Sequence, residues 1–118
     1  MSPGALQWWV YRADLEPTRG SEQAGTRPVL VVSRDSFNQA LPIVGVLPLT
    51  SARPGRRIYP TEVLLPAGAA GQPADSIVLA HQVRTLSTRR LGAAYGELRN
   101  PELRSAVRQA LRVFLDLD

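Results

Sequence analysis

Glycine and proline, 9 and 10 residues of the 118, cut the apolar residues of this chain into runs too short for helices. Residues 6–13 carry Trp8, Trp9 and Tyr11 and read as an aromatic-rich strand, and 29–33 is β-branched and apolar on both faces, which suits a buried one. Further runs follow at 43–49, 61–65 and 93–98, while 76–80 and 82–86 read either as one bent strand or as a pair. Pro48 interrupts its run, so that strand bends at its end or lies on an edge. Residues 35–38 and 89–91 suggest helical turns, and the Gly- and Ala-rich stretch 66–73 a loop. Only the last segment has a helix's period. Asn100 is placed to cap it, Pro101 suits the first position, and Leu103, Val107, Ala110, Leu111 and Phe114 recur on one face. The expectation is a single domain over residues 1–118, mainly β with short helices: a small, partly closed barrel with a C-terminal α-helix. The interior of so small a barrel is filled by side chains, so a large ligand binds outside it or between subunits.

The net charge of +4 and pI near 10.6 favour an anionic partner, nucleic acid first. All 14 basic residues are arginine. Two readings stand: guanidinium selected for forked phosphate recognition, or a coding bias that writes arginine for lysine everywhere. Without cysteine there is no thiol catalysis, disulfide or Cys-based zinc site. With one histidine, a two-histidine ribonuclease mechanism is closed, and no cluster of histidine and carboxylate suggests a metal centre. No phosphate-cradling GxxxxGK[ST] or GxSxG motif occurs. No cofactor is expected. The absence of a long apolar run or a basic-to-apolar opening makes the cytoplasm the expected location, away from membranes.

The polar stretch from Pro17 to Pro28 is the most informative of the loops. It gathers Arg19, Gly20, Ser21, Glu22, Gln23, Gly25, Thr26 and Arg27 immediately before the apolar run Val29-Leu30-Val31-Val32. A connection needs few hydrogen-bonding side chains, whereas a polar loop at the mouth of a rigid sheet suits binding or catalysis. A second loop, 51–60, is basic through Arg53, Arg56 and Arg57. Phosphate contact and a plain solvated surface are both open for it.

The run Gly20-Ser21-Glu22-Gln23-Ala24-Gly25-Thr26-Arg27-Pro28 with its strand resembles the signature of the MazF/PemK toxin family. Three collinear blocks extend the likeness: Pro48-Leu49-Thr50-Ser51 with Asp75-Ser76, Gln82-Val83-Arg84-Thr85-Leu86, and Arg90-Leu91-Gly92. The resemblance implies an SH3-like barrel of the CcdB/MazF type acting as a homodimer. It implies a metal-independent endoribonuclease that cuts single-stranded RNA and is inhibited by a MazE-like antitoxin. Arg27 falls on the family's catalytic arginine and Thr50 on its catalytic threonine. Glu22 and Gln23 match the polar pair of the RNA-lining loop, and Gln82 a residue near the same site. Arg19, Ser21, Ser51, Arg53, Arg56 and Arg57 complete the expected RNA contacts.

Metal-free cleavage of this kind sends the ribose 2′-hydroxyl onto its own 3′-phosphate, leaving a 2′,3′-cyclic phosphate and a 5′-hydroxyl. Arg27 suits transition-state stabilisation, because a guanidinium donates a fork of bonds to two phosphoryl oxygens but is a poor proton carrier. The other reading keeps Arg27 as the acid, its pKa lowered by Arg19 or by burial. Glu22 is either the base or a loop-fixing partner of Arg19 or Arg27. Thr50 either donates to the phosphate or bonds to backbone at a strand end. His81 reads as a satisfied strand histidine. Of Trp8 and Trp9, on opposite faces, one belongs to the core, and the other is free to meet a partner subunit or a base. Two non-catalytic readings remain: a CcdB-like gyrase poison, disfavoured because no tryptophan closes the chain, and an SH3-like binding module.

Overall fold

Alternation along three central strands builds two cores, one on each face. The computed structural model describes residues 5–16, 20 and 25–118. In chain order these form β1 (Trp9–Asp14), β2 (Thr26–Val31), α1 (Asp35–Ala40), β3 (Ile43–Ser51), β4 (Glu62–Leu65), β5 (Ser76–Leu79), β6 (Arg84–Ser87), β7 (Leu91–Glu97) and α2 (Pro101–Leu115). Single 3₁₀ turns, Ala80–Gln82 and Thr88–Arg90, precede β6 and β7. The sheet runs β4-β5-β3-β2-β1-β7, and all its pairings are antiparallel. Side chains alternate across a strand. Val10, Leu30, Leu47 and Leu49 therefore enter one cluster, beneath α2, while Tyr11, Ala13, Val29, Val31, Val44 and Val46 enter a second on the opposite face.

The two readings of residues 76–86 meet in the structure. β5 and β6 lie one after the other along the same edge of β3, β5 on Leu49–Ser51 and β6 on Ile43–Val46, with the 3₁₀ turn looping out between them. The barrel is completed by chain path and not by a continuous ladder. β6 pairs with β3 and β7 with β1, and the turn Thr88–Arg90 joins them, so a ring of chain surrounds the second cluster. Among the described residues no ladder joins β7 to β4, and the sheet stays open there. The 66–73 turn covers part of that opening. Its Gly71 has φ +78°, and a Cβ at that position would lie 2.1 Å from the Tyr95 carbonyl oxygen, so only glycine allows the approach. Buried Gln72 holds the turn, accepting from the Ala70 N–H and donating to the Pro66 carbonyl.

The Asn100 side chain accepts from the N–H groups of Glu102 and Leu103, the N-cap expected of it. Val107 and Ala110 are buried, and Leu103 and Leu111 pack on the first cluster. Phe114, expected in the same stripe, is 44% exposed, because the helix outruns the core and leaves the ring edge-on to His81 at 6.5 Å. The adjacent tryptophans do point to opposite faces. Trp8 sits under Arg104 and Arg108, at 5.3 and 4.9 Å, in the first cluster, and Trp9 packs on the second. Each thus has a core of its own chain. Beside them, one oxygen of Asp35 accepts from the Leu6 and Gln7 N–H groups and from Asn38. Burial alone would raise this carboxyl's pKa, but those bonds outweigh it and hold the value low.

Candidate active site

Arg27 lies inside β2, which begins at Thr26 and so takes in residues that read as loop in the sequence. The β2–β3 ladder has Val31 opposite Val46, Leu30 opposite Leu47 and Val29 opposite Pro48. Val32 donates to the Gly45 carbonyl at 2.9 Å, and antiparallel bonding recurs at every second residue. The donors toward β3 are therefore Val32, Leu30 and then Pro28, which has no N–H. The ladder stops for that reason. Carried two residues further, its register sets Arg27 opposite Thr50, both on the face of the second cluster and beyond the last paired rung. Past that point β3 turns to its other neighbour, where Thr50 pairs with Ile77 and Ser51 with Ser76. Arg27 and Thr50 are half-buried and Ser51 is exposed. The missing donor of Pro28 thus ends the β2–β3 ladder just before the register position that Arg27 and Thr50 share.

Arg84 belongs to the same end of the second cluster. It is opposite Val46 and shares a strand face with Leu86. Its Nη1 donates to the Leu15 carbonyl at 3.3 Å, and Arg90 donates to the Glu16 carbonyl. The Leu15 N–H donates to the Gly25 carbonyl at 2.9 Å, and the Gly25 N–H to Oε2 of Glu16 at 2.6 Å. These contacts close a neck under the β1–β2 loop, whose residues Arg19, Ser21, Glu22 and Gln23 lie outside the described residues. The sequence contained the neck residues only as unassigned members of the Gln82–Leu86 and Arg90–Gly92 blocks. A carboxylate directly before Pro17 was the one local signal for Glu16.

The basic loop between β3 and β4 is differently built. Arg56, expected on phosphate with Arg53 and Arg57, instead forks onto Glu62 through two bonds of 2.9 Å. Glu62 opens β4 and is buried, and it also accepts from the Tyr59 N–H at 3.0 Å. The Arg56 fork, above all, holds the Glu62 carboxyl below its ordinary pKa against the opposing effect of burial, and the pairing raises that of Arg56. Arg56 is therefore committed to the fold, leaving exposed Arg53 and Arg57 as the outward charges, with Arg57 over the Tyr59 ring at 5.3 Å. His81 contacts the Thr61 hydroxyl through Nδ1 at 3.1 Å, as a satisfied histidine would. Gln82, half-buried, ends the 3₁₀ turn between β5 and β6.

Comparison with known proteins places the chain in a family and supports its fold. A family model described as the PemK-like, MazF-like toxin of type II toxin–antitoxin systems matches residues 6–115. The chain is 36% identical over 113 residues to endoribonuclease MazF9 of Mycobacterium tuberculosis, covering 92% of this chain and 93% of that protein. It is 39% identical over 108 residues to endoribonuclease EndoA of Bacillus subtilis, covering 92% and 91%. A mycobacterial endoribonuclease solved in complex with its cognate antitoxin superposes with a TM-score of 0.77 at 30% identity, over 97% of both chains. MazF from Deinococcus radiodurans gives 0.74 at 31% identity, over 94% of this chain and 96% of that one.

Proposed function

The chain belongs to the PemK-like, MazF-like toxin family of type II toxin–antitoxin systems, and from that premise we propose that it is an endoribonuclease whose activity a cognate antitoxin restrains. Its substrate is single-stranded RNA, cut without a metal at short sequences. The observation that supports the reading is the β2–β3 register, which, continued two residues past its last pair, brings the positions of Arg27 and Thr50 opposite each other. In this reading the scissile phosphate lies between them. Arg27 forks onto two phosphoryl oxygens, and the Thr50 hydroxyl adds a donor as charge builds on phosphorus. Glu22 accepts the 2′-hydroxyl proton. Gln82, Ser51 and the outward arginines Arg53 and Arg57 hold the strand on either side, with Arg19, Ser21 and Gln23 contributing from the first loop.

The active form is a cytoplasmic homodimer with its RNA groove between subunits, and the antitoxin is acidic and covers Arg27. Among the described residues no helix is long and apolar enough to cross a membrane. Relatives named endoribonuclease favour the enzyme over a gyrase poison or a plain binding module. The test is incubation of purified protein with labelled single-stranded RNA in chelator. Discrete fragments ending in 5′-hydroxyl are expected, and an oligonucleotide with 2′-deoxy at the cut position should survive. Intact RNA, or equal scission of the deoxy substrate, would overturn the proposal.

A further inference from the structure

We infer that Arg84 and Arg90 are positioning residues for the site, fastening the base of the β1–β2 loop so that Arg27 is held in its working place. The inference rests on the ribonuclease reading of Arg27 and adds a role for two residues that contribute nothing to that chemistry directly. Both arginines reach the neck from distant parts of the chain. Arg84 is 69 residues from Leu15, and Arg90 is 74 from Glu16. They can do so because β6 runs along β3 while β7 pairs with β1, Leu91 lying opposite Ala13. Residues 84–91 therefore pass from one flank of the mouth to the other and meet β1 where it ends.

The neck is closed group by group. Leu15 spends its N–H on the Gly25 carbonyl and its carbonyl on Arg84. Glu16 spends its carboxylate on the Gly25 N–H and its carbonyl on Arg90. Gly25 is two residues from Arg27, and Arg27 is paired with Ala13, two residues from Leu15. Any opening of the neck thus moves the backbone that aims the guanidinium, and small displacements of a reacting group carry large rate penalties. Stability is a poor explanation for this use of Arg90. Glu16 is exposed, so water would satisfy its carbonyl if Arg90 were replaced, and such exchanges are nearly neutral in net free energy. Water would not fix the carbonyl's direction. A guanidinium held by its own strand and turn does.

The test uses the full chain with Arg84→Met, Arg90→Met and Arg90→Lys, since lysine can restore one donor to the Glu16 carbonyl. Amide hydrogen exchange at Leu15 and Gly25 is read beside that of Val31 and Val46, with the thermal midpoint as a check on folding. In parallel, kcat and KM are measured on labelled single-stranded RNA in chelator. Local opening without global unfolding should speed exchange at Leu15 and Gly25 by about tenfold and leave Val31 and Val46 unchanged. The methionine variants should lose about tenfold in kcat at a KM within about twofold of the parent, with most of the loss at position 90 recovered by lysine. Unchanged exchange at both amides, or faster exchange with unaltered kcat, would overturn the inference. If Arg84→Met does not fold, Glu16→Met removes the acceptor of the Gly25 N–H from the loop side of the same neck and should free the Gly25 amide. If the parent protein cuts no RNA, the ribonuclease reading fails by itself, and the exchange measurements still decide whether the arginines fasten the neck.

Discussion

The two loops beside the mouth are secured by opposite means. The β3–β4 loop is tied from inside, by a carboxylate taken out of water: the Glu62 side chain is 4% exposed and grips Arg56, itself 30% exposed. The base of the β1–β2 loop is tied differently, by guanidinium groups placed on backbone carbonyls, with no acid partner among the described residues. A buried carboxylate makes its loop part of the folding equilibrium and sensitive to acid, because breaking the pair strands a charge. Carbonyl tethers do neither. They restrict conformation at buried Leu15 and at exposed Glu16, which suits a segment whose work is geometry. Of the two loops, one anchors the fold, and the other, in the reading proposed above, aims Arg27.

Arg27→Ala should give the largest effect and separate aim from anchorage most sharply. Loss of one preorganised donor costs about a hundred- to thousandfold in rate, so RNA cleavage should fall by at least that much while the thermal midpoint holds. A folded variant cutting at the parental rate would sink the assignment.

Arg56→Met should do the reverse. Glu62 would keep only the Tyr59 N–H among its present bonds, and losing hydrogen bonds to a buried charge costs about 2–3 kcal/mol, read as a lower denaturant midpoint. Glu62→Gln should cost less, because partly exposed Arg56 can rehydrate. Equal costs for the two variants would mean that the burial asymmetry does not control this loop.

Acid probes the same contrast. Glu62 and Asp35 both have folded pKa values below their ordinary ones. Their contribution is therefore complete above the unfolded carboxylate range, about pH 4, and disappears as pH falls through the lower folded values. Stability should decline in that window, and Glu62→Gln should flatten the decline. A parallel curve for the variant would assign the acid lability elsewhere.

The smallest effect concerns salt. If Arg53 and Arg57 each contact a phosphate, neutralising both should reduce the log–log salt slope of RNA binding by about 0.7 per contact. Arg56→Met should leave that slope alone. A slope that moves with Arg56 and not with its neighbours would return it to the RNA.

Much of this was legible in the residues. The breaks at proline and glycine, the cap at Asn100 and the buried β-branched run that opens at Val29 are local effects of backbone dihedrals and side-chain shape, and they were read as they stand. The polar run ending in Arg27-Pro28 pointed to the proposed site for the same reason, since its signal is contiguous. The commitment of Arg56 to Glu62 was hidden, as both arginine neighbours read alike until burial distinguishes them. The exposure of Phe114 was hidden too, because periodicity says which face a residue is on but not how far the core extends under it.

By itself, then, the chain's order of residues determined where strands break and where the helix starts, both consequences of torsion angles and side-chain shape. Only the tertiary structure decided which arginines meet a buried carboxylate and which meet backbone carbonyls. A guanidinium's role depends on the acceptor that packing brings to it, and Leu15, Glu16 and Glu62 reach their arginines only once the strands have found their register.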